Sequence, residues 1–141
     1  MNEPDNTCPF CRLPAALLVA ENELAVAVLD KYPVSPGHVL VCPRRHAASV
    51  FELTEAESAA IFRLIHEMKQ RCDREHHPAG YNLGVNVGPI SGQTVMHVHV
   101  HLIPRYHGDV EDPTGGVRNV IPGKGNYLRF NRRPESVEAR T

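Results

Sequence analysis

His97-Val98-His99-Val100-His101-Leu102-Ile103 decides how this chain folds. An ionisable ring alternating with an aliphatic side chain is the period of an extended strand, whose successive side chains leave on opposite faces. Val98, Val100 and Leu102 are therefore free to enter a core. The three imidazoles line the other face, each roughly 6.5 to 7 Å from the next, close enough to share one small anion or metal ion. Upstream, Gly88-Pro89-Ile90-Ser91-Gly92-Gln93-Thr94 is a turn, and before it Tyr81, Leu83, Val85 and Val87 alternate with Asn82, Gly84 and Asn86. A second strand joined by so short a connection predicts an antiparallel pair.

The rest of the chain supplies a sheet and its cover. Leu17 to Ala20 and Leu24 to Leu29 are apolar runs parted by Glu21-Asn22-Glu23, a hairpin signal, and a Pro- and Gly-bearing loop over 30–37 leads into a strand over 38–42. On that strand His38, Leu40 and Cys42 share a face. Thr54-Glu55-Ala56-Glu57 reads as a capping box opening a helix to about Asp73. Its apolar stripe of Ile61, Leu64, Ile65, Met68 and Cys72 lies on one side, as needed to cover a sheet. These elements predict an α+β domain: an antiparallel sheet of about five strands under one long helix.

Composition narrows the partners. The 141 residues suit one core. Fifteen Lys and Arg against sixteen Asp and Glu leave no basic stripe for a nucleic-acid backbone, so phosphate recognition is expected to be local and the ligand small. Without a cationic leader or a bilayer-length apolar run, the protein is expected to be cytoplasmic and not membrane-bound. Four cysteines make no convincing disulfide framework; Cys42 and Cys72 read as buried small hydrophobes. Cys8 and Cys11 instead stand at a chelating spacing in a proline-bearing stretch that reads as a knuckle, without the strand and helix that would flank a redox pair.

Beside the histidines, Gly92 lets the backbone approach a ligand, and the Gln93 amide and Thr94 hydroxyl can donate hydrogen bonds, so turn and strand together make a phosphate cradle. Residues 97–103 match at every position the motif His-φ-His-φ-His-φ-φ, with φ apolar, and so resemble the histidine triad family. Val34-Ser35-Pro36-Gly37-His38-Val39-Leu40-Val41-Cys42-Pro43 and Gly92-Gln93-Thr94-Val95 are similar to stretches of its fragile histidine triad branch, the likeness covering about residues 8 to 107.

The resemblance implies that His99 is a nucleophile, its second ring nitrogen held as N–H by a main-chain carbonyl. It attacks the α-phosphorus of a nucleoside phosphate ester, anhydride or amidate, and water releases the nucleoside monophosphate. His101 and His38 are expected at the same phosphate, with Gly92, Gln93 and Thr94 holding it and the leaving group. Asp30 matches the position that meets the ribose hydroxyls. Asn86 matches a site-facing amide that is glutamine in the fragile histidine triad branch and asparagine in the Hint branch, which leaves the choice of branch open. Diadenosine-type polyphosphates are the expected substrates, with nucleoside phosphoramidates as the competitor. A nucleotide-binding protein of little turnover, or a catalytic metal on the triad itself, are the other readings. A galactose-1-phosphate-type transferase fits less well, since that branch resembles His-x-His-x-Gln and position 101 is His.

The resemblance also gives the cysteines partners: Cys8, Cys11, His46 and His97 as a structural Zn2+ site, tying the N-terminus to the catalytic strand. It implies a homodimer. Residues 1–107 are expected to form the domain with its zinc knuckle, and 108–141 an extension and tail. In the extension, Arg118 and Lys124 either reach distal phosphates or the other subunit, or are surface charges.

Overall fold

The computed structural model describes residues 5–129. The first residues of the polar N-terminal stretch and the tail expected over 131–141 lie outside that range. Five strands, β1 (Leu18–Glu21), β2 (Ala25–Leu29), β3 (Val39–Pro43), β4 (Gly80–Val85) and β5 (Val100–Arg105), form one sheet in the order β1-β2-β3-β5-β4. Every neighbouring pair is antiparallel, and one long helix, α1 (Glu55–His76), is packed mainly over β2 and β3. This is the α+β architecture expected from the pattern.

Local chemistry accounts for each element. The Asn22 side chain accepts from the amides of Leu24 and Ala25, closing the β1–β2 turn, and its own amide donates to the Ala60 carbonyl of α1. β3 is buried along its whole length. Val39 and Val41 on β3, Ala25 and Ala27 on β2, and Val100 and Leu102 on β5 pack with Ile61, Leu64, Ile65 and Met68 of the helix into one core. The helix outruns its apolar stripe by a turn. Lys69–Asp73 and Arg71–Glu75 pairs at helical spacing carry it on until it ends at His77, whose backbone is left-handed, with Pro78, which cannot continue a helix, next in the chain.

Two expectations need correction. The strand does not run from His97: the ladder to β3 begins with Val41 opposite Val100. Further along, the Pro43 carbonyl binds the His97 side chain and the Val98 amide donates to Ala47, so residues 97–99 leave the ladder for the loop after β3. Alternation survives this, since Val98, Val100 and Leu102 are all buried. β4 likewise ends at Val85, short of Val87, and Leu83 is exposed because β4 is an edge strand covered less than the centre.

The chain divides into two compact units, with the boundary between Tyr106 and His107. In the second, Arg118 donates to the Gly125 carbonyl and Asn126 to Asp112, closing a tight loop. Among the described residues no helix is long and apolar enough to cross a membrane.

The helix start carries an ion pair whose carboxylate is buried. Thr54 and Glu57 form the expected capping box, and buried Glu57 also takes two hydrogen bonds from Arg45, at 3.0 and 2.9 Å. Arg45, helped by the Thr54 amide, holds the Glu57 carboxyl down to about 2 against the opposing effect of burial. A carboxyl depressed on folding stabilises the protein above its unfolded value and loses that contribution as pH falls through the folded one. Glu57→Gln is therefore expected to cost about 2 kcal/mol at neutral pH. Chemical denaturation across a pH series checks this: the gap between variant and parent should shrink as pH drops from above 4.5 towards about 2.

Candidate active site

The loop after β2 and residues 99–101, where β5 begins, bring three imidazoles and a carboxylate together. His38, 3% exposed, stands at the entrance to β3, and its Nε2 lies 2.9 Å from His101 Nδ1. Burial is the largest influence on both rings. It lowers the His38 pKa, with Asp30 opposing, and takes His101 to about 4, with His99 and His38 adding to the effect. Both are therefore neutral at pH 7, each with one N–H and one lone pair. The Val34 amide donates to His38 Nδ1 at 3.2 Å, so the His38 proton is on Nε2 and is donated to His101 Nδ1. His101 consequently carries its own proton on Nε2.

His99 is fixed from its other side. Its Nδ1 lies 2.9 Å from the His97 carbonyl oxygen, which can only accept, so Nδ1 bears the hydrogen. In the neutral ring Nε2 is then a bare lone pair, 5.2 Å separating the His99 and His101 ring centres. Asp30 sits against this group instead of standing alone on a loop. One oxygen accepts from the Tyr32 amide and the other is 3.5 Å from His38 Nε2. The loop between them cannot drift: Ser35 donates to the Pro104 carbonyl, Tyr106 to that of Pro36, and a side chain on Gly37 would meet Cys72 Sγ at 2.9 Å.

His97 points elsewhere, so the three imidazoles do not share one ligand. Its fully buried ring donates from Nε2 to the Pro43 carbonyl at 2.7 Å, which turns the Nδ1 lone pair to Cys8 Sγ and Cys11 Sγ, each at 3.5 Å. His46 Nδ1 is 3.1 Å from Cys11 Sγ. All four donor atoms lie within 4.8 Å of one another. Two sulfurs and two imidazole nitrogens converging in this way, one nitrogen with its proton directed outward, suit a tetrahedral metal ion. Asp30, His38 and His101 are equally close together. There, however, a metal on His38 Nε2 would move the proton to Nδ1, against the Val34 N–H. That group is arranged for hydrogen bonding.

The turn before β5 splits into scaffold and surface. Gln93 is buried, its two amide hydrogens taken by the Ala48 and Val95 carbonyls and its oxygen by the Gly88 amide. Those donors, expected at a phosphate, here brace the loop. Thr94 is exposed, and Gly92 has φ 94° with open space where a Cβ would be, as close backbone approach to a ligand requires. Asn86 is half-buried just beyond β4. Cys42 and Cys72 are buried thiols as expected, burial pushing Cys42 up to about 12.

Several participants carry no sequence signal: the Val34 amide and the carbonyls of Pro43, Ala48 and His97 are backbone groups. Phe10 had one, its place between the two cysteines. Its ring centre is 5.0 Å from that of His99 and 5.9 Å from that of His97. For the loop brace, Gln93→Ala strands buried carbonyls and an amide, and should lower stability by about 1–3 kcal/mol in calorimetry.

Comparisons with known proteins show the family to which this fold belongs. The HIT domain model matches residues 14–108. An AP-4-A phosphorylase of Mycobacterium tuberculosis is 36% identical over 138 residues, spanning 92% of this chain and 69% of the relative. Two proteins of Schizosaccharomyces pombe are also similar. An asymmetrical bis(5'-nucleosyl)-tetraphosphatase is 33% identical over 88% of this chain and 71% of its own length. An adenosine 5'-monophosphoramidase is 37% identical over 70% and 74%. Among solved structures, a HIT family protein from Bacillus anthracis superposes with TM-score 0.69 at 37% identity, over 74% of this chain and 77% of that one. A Zn-bound histidine triad protein from Mycobacterium smegmatis gives 0.66 at 29%, over 73% and 78%. With its triad, its fold and its relatives in agreement, this chain belongs to the HIT family of nucleotide-processing proteins.

Proposed function

We propose that this chain hydrolyses dinucleoside polyphosphates of the diadenosine tri- and tetraphosphate type at the α-phosphate. The observation that carries the reading is the hydrogen bond from His99 Nδ1 to the His97 carbonyl, which leaves Nε2 as a nucleophile without prior deprotonation. Nε2 bonds to the α-phosphorus, the bond from phosphorus to the bridging oxygen breaks, and the departing polyphosphate takes that electron pair. His101 Nε2–H, set by His38, stabilises the oxygen charge as it shifts. Water then adds hydroxide to phosphorus and gives its other proton to solvent. The P–N bond breaks, and His99 returns neutral with a nucleoside monophosphate released.

Thr94 and the backbone at Gly92 receive the phosphates while Gln93 keeps the turn in shape. Asp30 accepts from a ribose hydroxyl through Oδ2, the oxygen the Tyr32 amide leaves available, and Asn86 is a second polar contact. Cys8, Cys11, His46 and His97 hold a structural zinc ion with no coordination position left for substrate. The zinc-bound relative supports this. The protein works as a cytoplasmic homodimer, and residues 1–107 constitute the domain. Nucleoside phosphoramidate hydrolysis is the second reading, favoured by Asn86 and by the similar phosphoramidase.

Turnover of diadenosine tri- and tetraphosphate against an adenosine phosphoramidate, with and without inorganic phosphate, tests the substrate. A faster phosphoramidate would select the second reading, and a nucleoside diphosphate product that requires phosphate would make the acceptor phosphate instead of water. His99→Gly should lose roughly 10^4- to 10^6-fold in kcat. Chirally labelled phosphorus should show net retention; a single inversion excludes the covalent route. Elemental analysis should find about one zinc ion per chain, lost when Cys8 and Cys11 are both replaced by serine.

A further inference from the structure

Phe10 touches both groups of residues at the site, His97 of the sulfur and imidazole cluster and His99 of the triad. It lies between Cys8 and Cys11, whose sulfurs each lie 3.5 Å from His97 Nδ1, so closing that cluster fixes the backbone on both sides of it. Its ring is tilted 49° to that of His99 at 5.0 Å. The hydrogen bond at Nδ1 opposes rotation of the His99 ring about its Cβ–Cγ bond with the strength of one contact, and ring contacts on its other side stiffen that rotation. Fixing a plane requires contacts off that axis, and Phe10 and His101 supply them, at 5.0 and 5.2 Å between ring centres.

The hydrogen bond itself leads back to the same cluster. The carbonyl that accepts from His99 belongs to His97, whose side chain is one of the four donors. Two routes therefore run from the sulfur and imidazole cluster to His99, one through the His97 peptide and one through the Phe10 ring. We propose that Phe10 is a positioning residue for His99, and that closure of the Cys8–Cys11–His46–His97 cluster around its metal orients the nucleophilic ring through Phe10 and the His97 carbonyl together. This rests on His99 being the nucleophile.

The test uses the full zinc-loaded chain with Phe10→Ala and Phe10→Leu variants, reading zinc content, kcat and KM separately, and the ring nitrogens of His99 by long-range proton–nitrogen correlation. Phe10→Ala should keep its zinc and lose about five- to ten-fold in kcat, the size of one aromatic contact, with KM within about two-fold. Its His99 signals should change from a single Nδ1–H tautomer to an averaged pattern, and Phe10→Leu should restore part of both. Chelated parent protein should show the same averaged pattern, a readout that needs no turnover. An unchanged kcat in Phe10→Ala, a rise in KM alone, or a single tautomer persisting in Phe10→Ala or in the chelated protein each overturn the proposal. His99→Gly separates the two claims. If it turns over normally, the nucleophile assignment is wrong; if it is inactive while Phe10→Ala behaves as the parent, only the positioning role fails.

Discussion

His97 is the constraint on which the site depends, because one residue makes three incompatible demands compatible. Its Nε2 donates to Pro43, its Nδ1 faces two sulfurs, and its carbonyl accepts from His99. Each contact uses a different group, and none can shift without moving the others. The cost is local loss of sheet: residues 97–99 leave the ladder with β3, the Val98 amide donating to the Ala47 carbonyl instead and the His97 side chain donating to that of Pro43. A fully buried imidazole survives there only because both of its nitrogens have partners.

The second imidazole pair solves a different problem. Burying His38 and His101 next to each other disfavours charge on both, so they remain neutral and can act as a donor and acceptor in series. One backbone amide, that of Val34, determines the direction of the series and leaves the last N–H on His101. Asp30 biases the pair towards the charged form less than burial biases it away. The resulting site presents a lone pair and a hydrogen-bond donor side by side, an arrangement matched to a phosphoryl group that accepts electrons at phosphorus while its oxygens gain charge.

Much of this was legible from residue order. The 2.0 and 3.6 periodicities place Val98, Val100 and Leu102 on one side and the Ile61 to Cys72 stripe on another, because apolar burial is what periodicity records. The capping box was readable since its two partners are three residues apart. What could not be read were the start of β5, where the Val98 amide and the His97 side chain turn to the Ala47 and Pro43 carbonyls, and the end of β4, whose last pair is Val85 with Val100. Gln93 shows the same limit: an amide beside a glycine turn looks equally suited to a ligand or to its own loop, and only the position of Ala48 decides between them.

By itself the amino-acid order determined the α+β class, the identity of the triad and the chelating spacing of Cys8 and Cys11, because these depend on short-range spacing and on side-chain chemistry; His46 and His97 lie 35 and 86 positions from Cys11 and were expected beside it only through the family resemblance. Tertiary structure decided that His97 turns away from His99 and His101, that His38 bonds His101 across 63 positions, and that Phe10 meets His99. The physical reason is that a ring's tautomer and orientation are set by whichever backbone donor or acceptor lies within hydrogen-bonding distance. Such groups are identical at nearly every residue, so their selection is made by the fold.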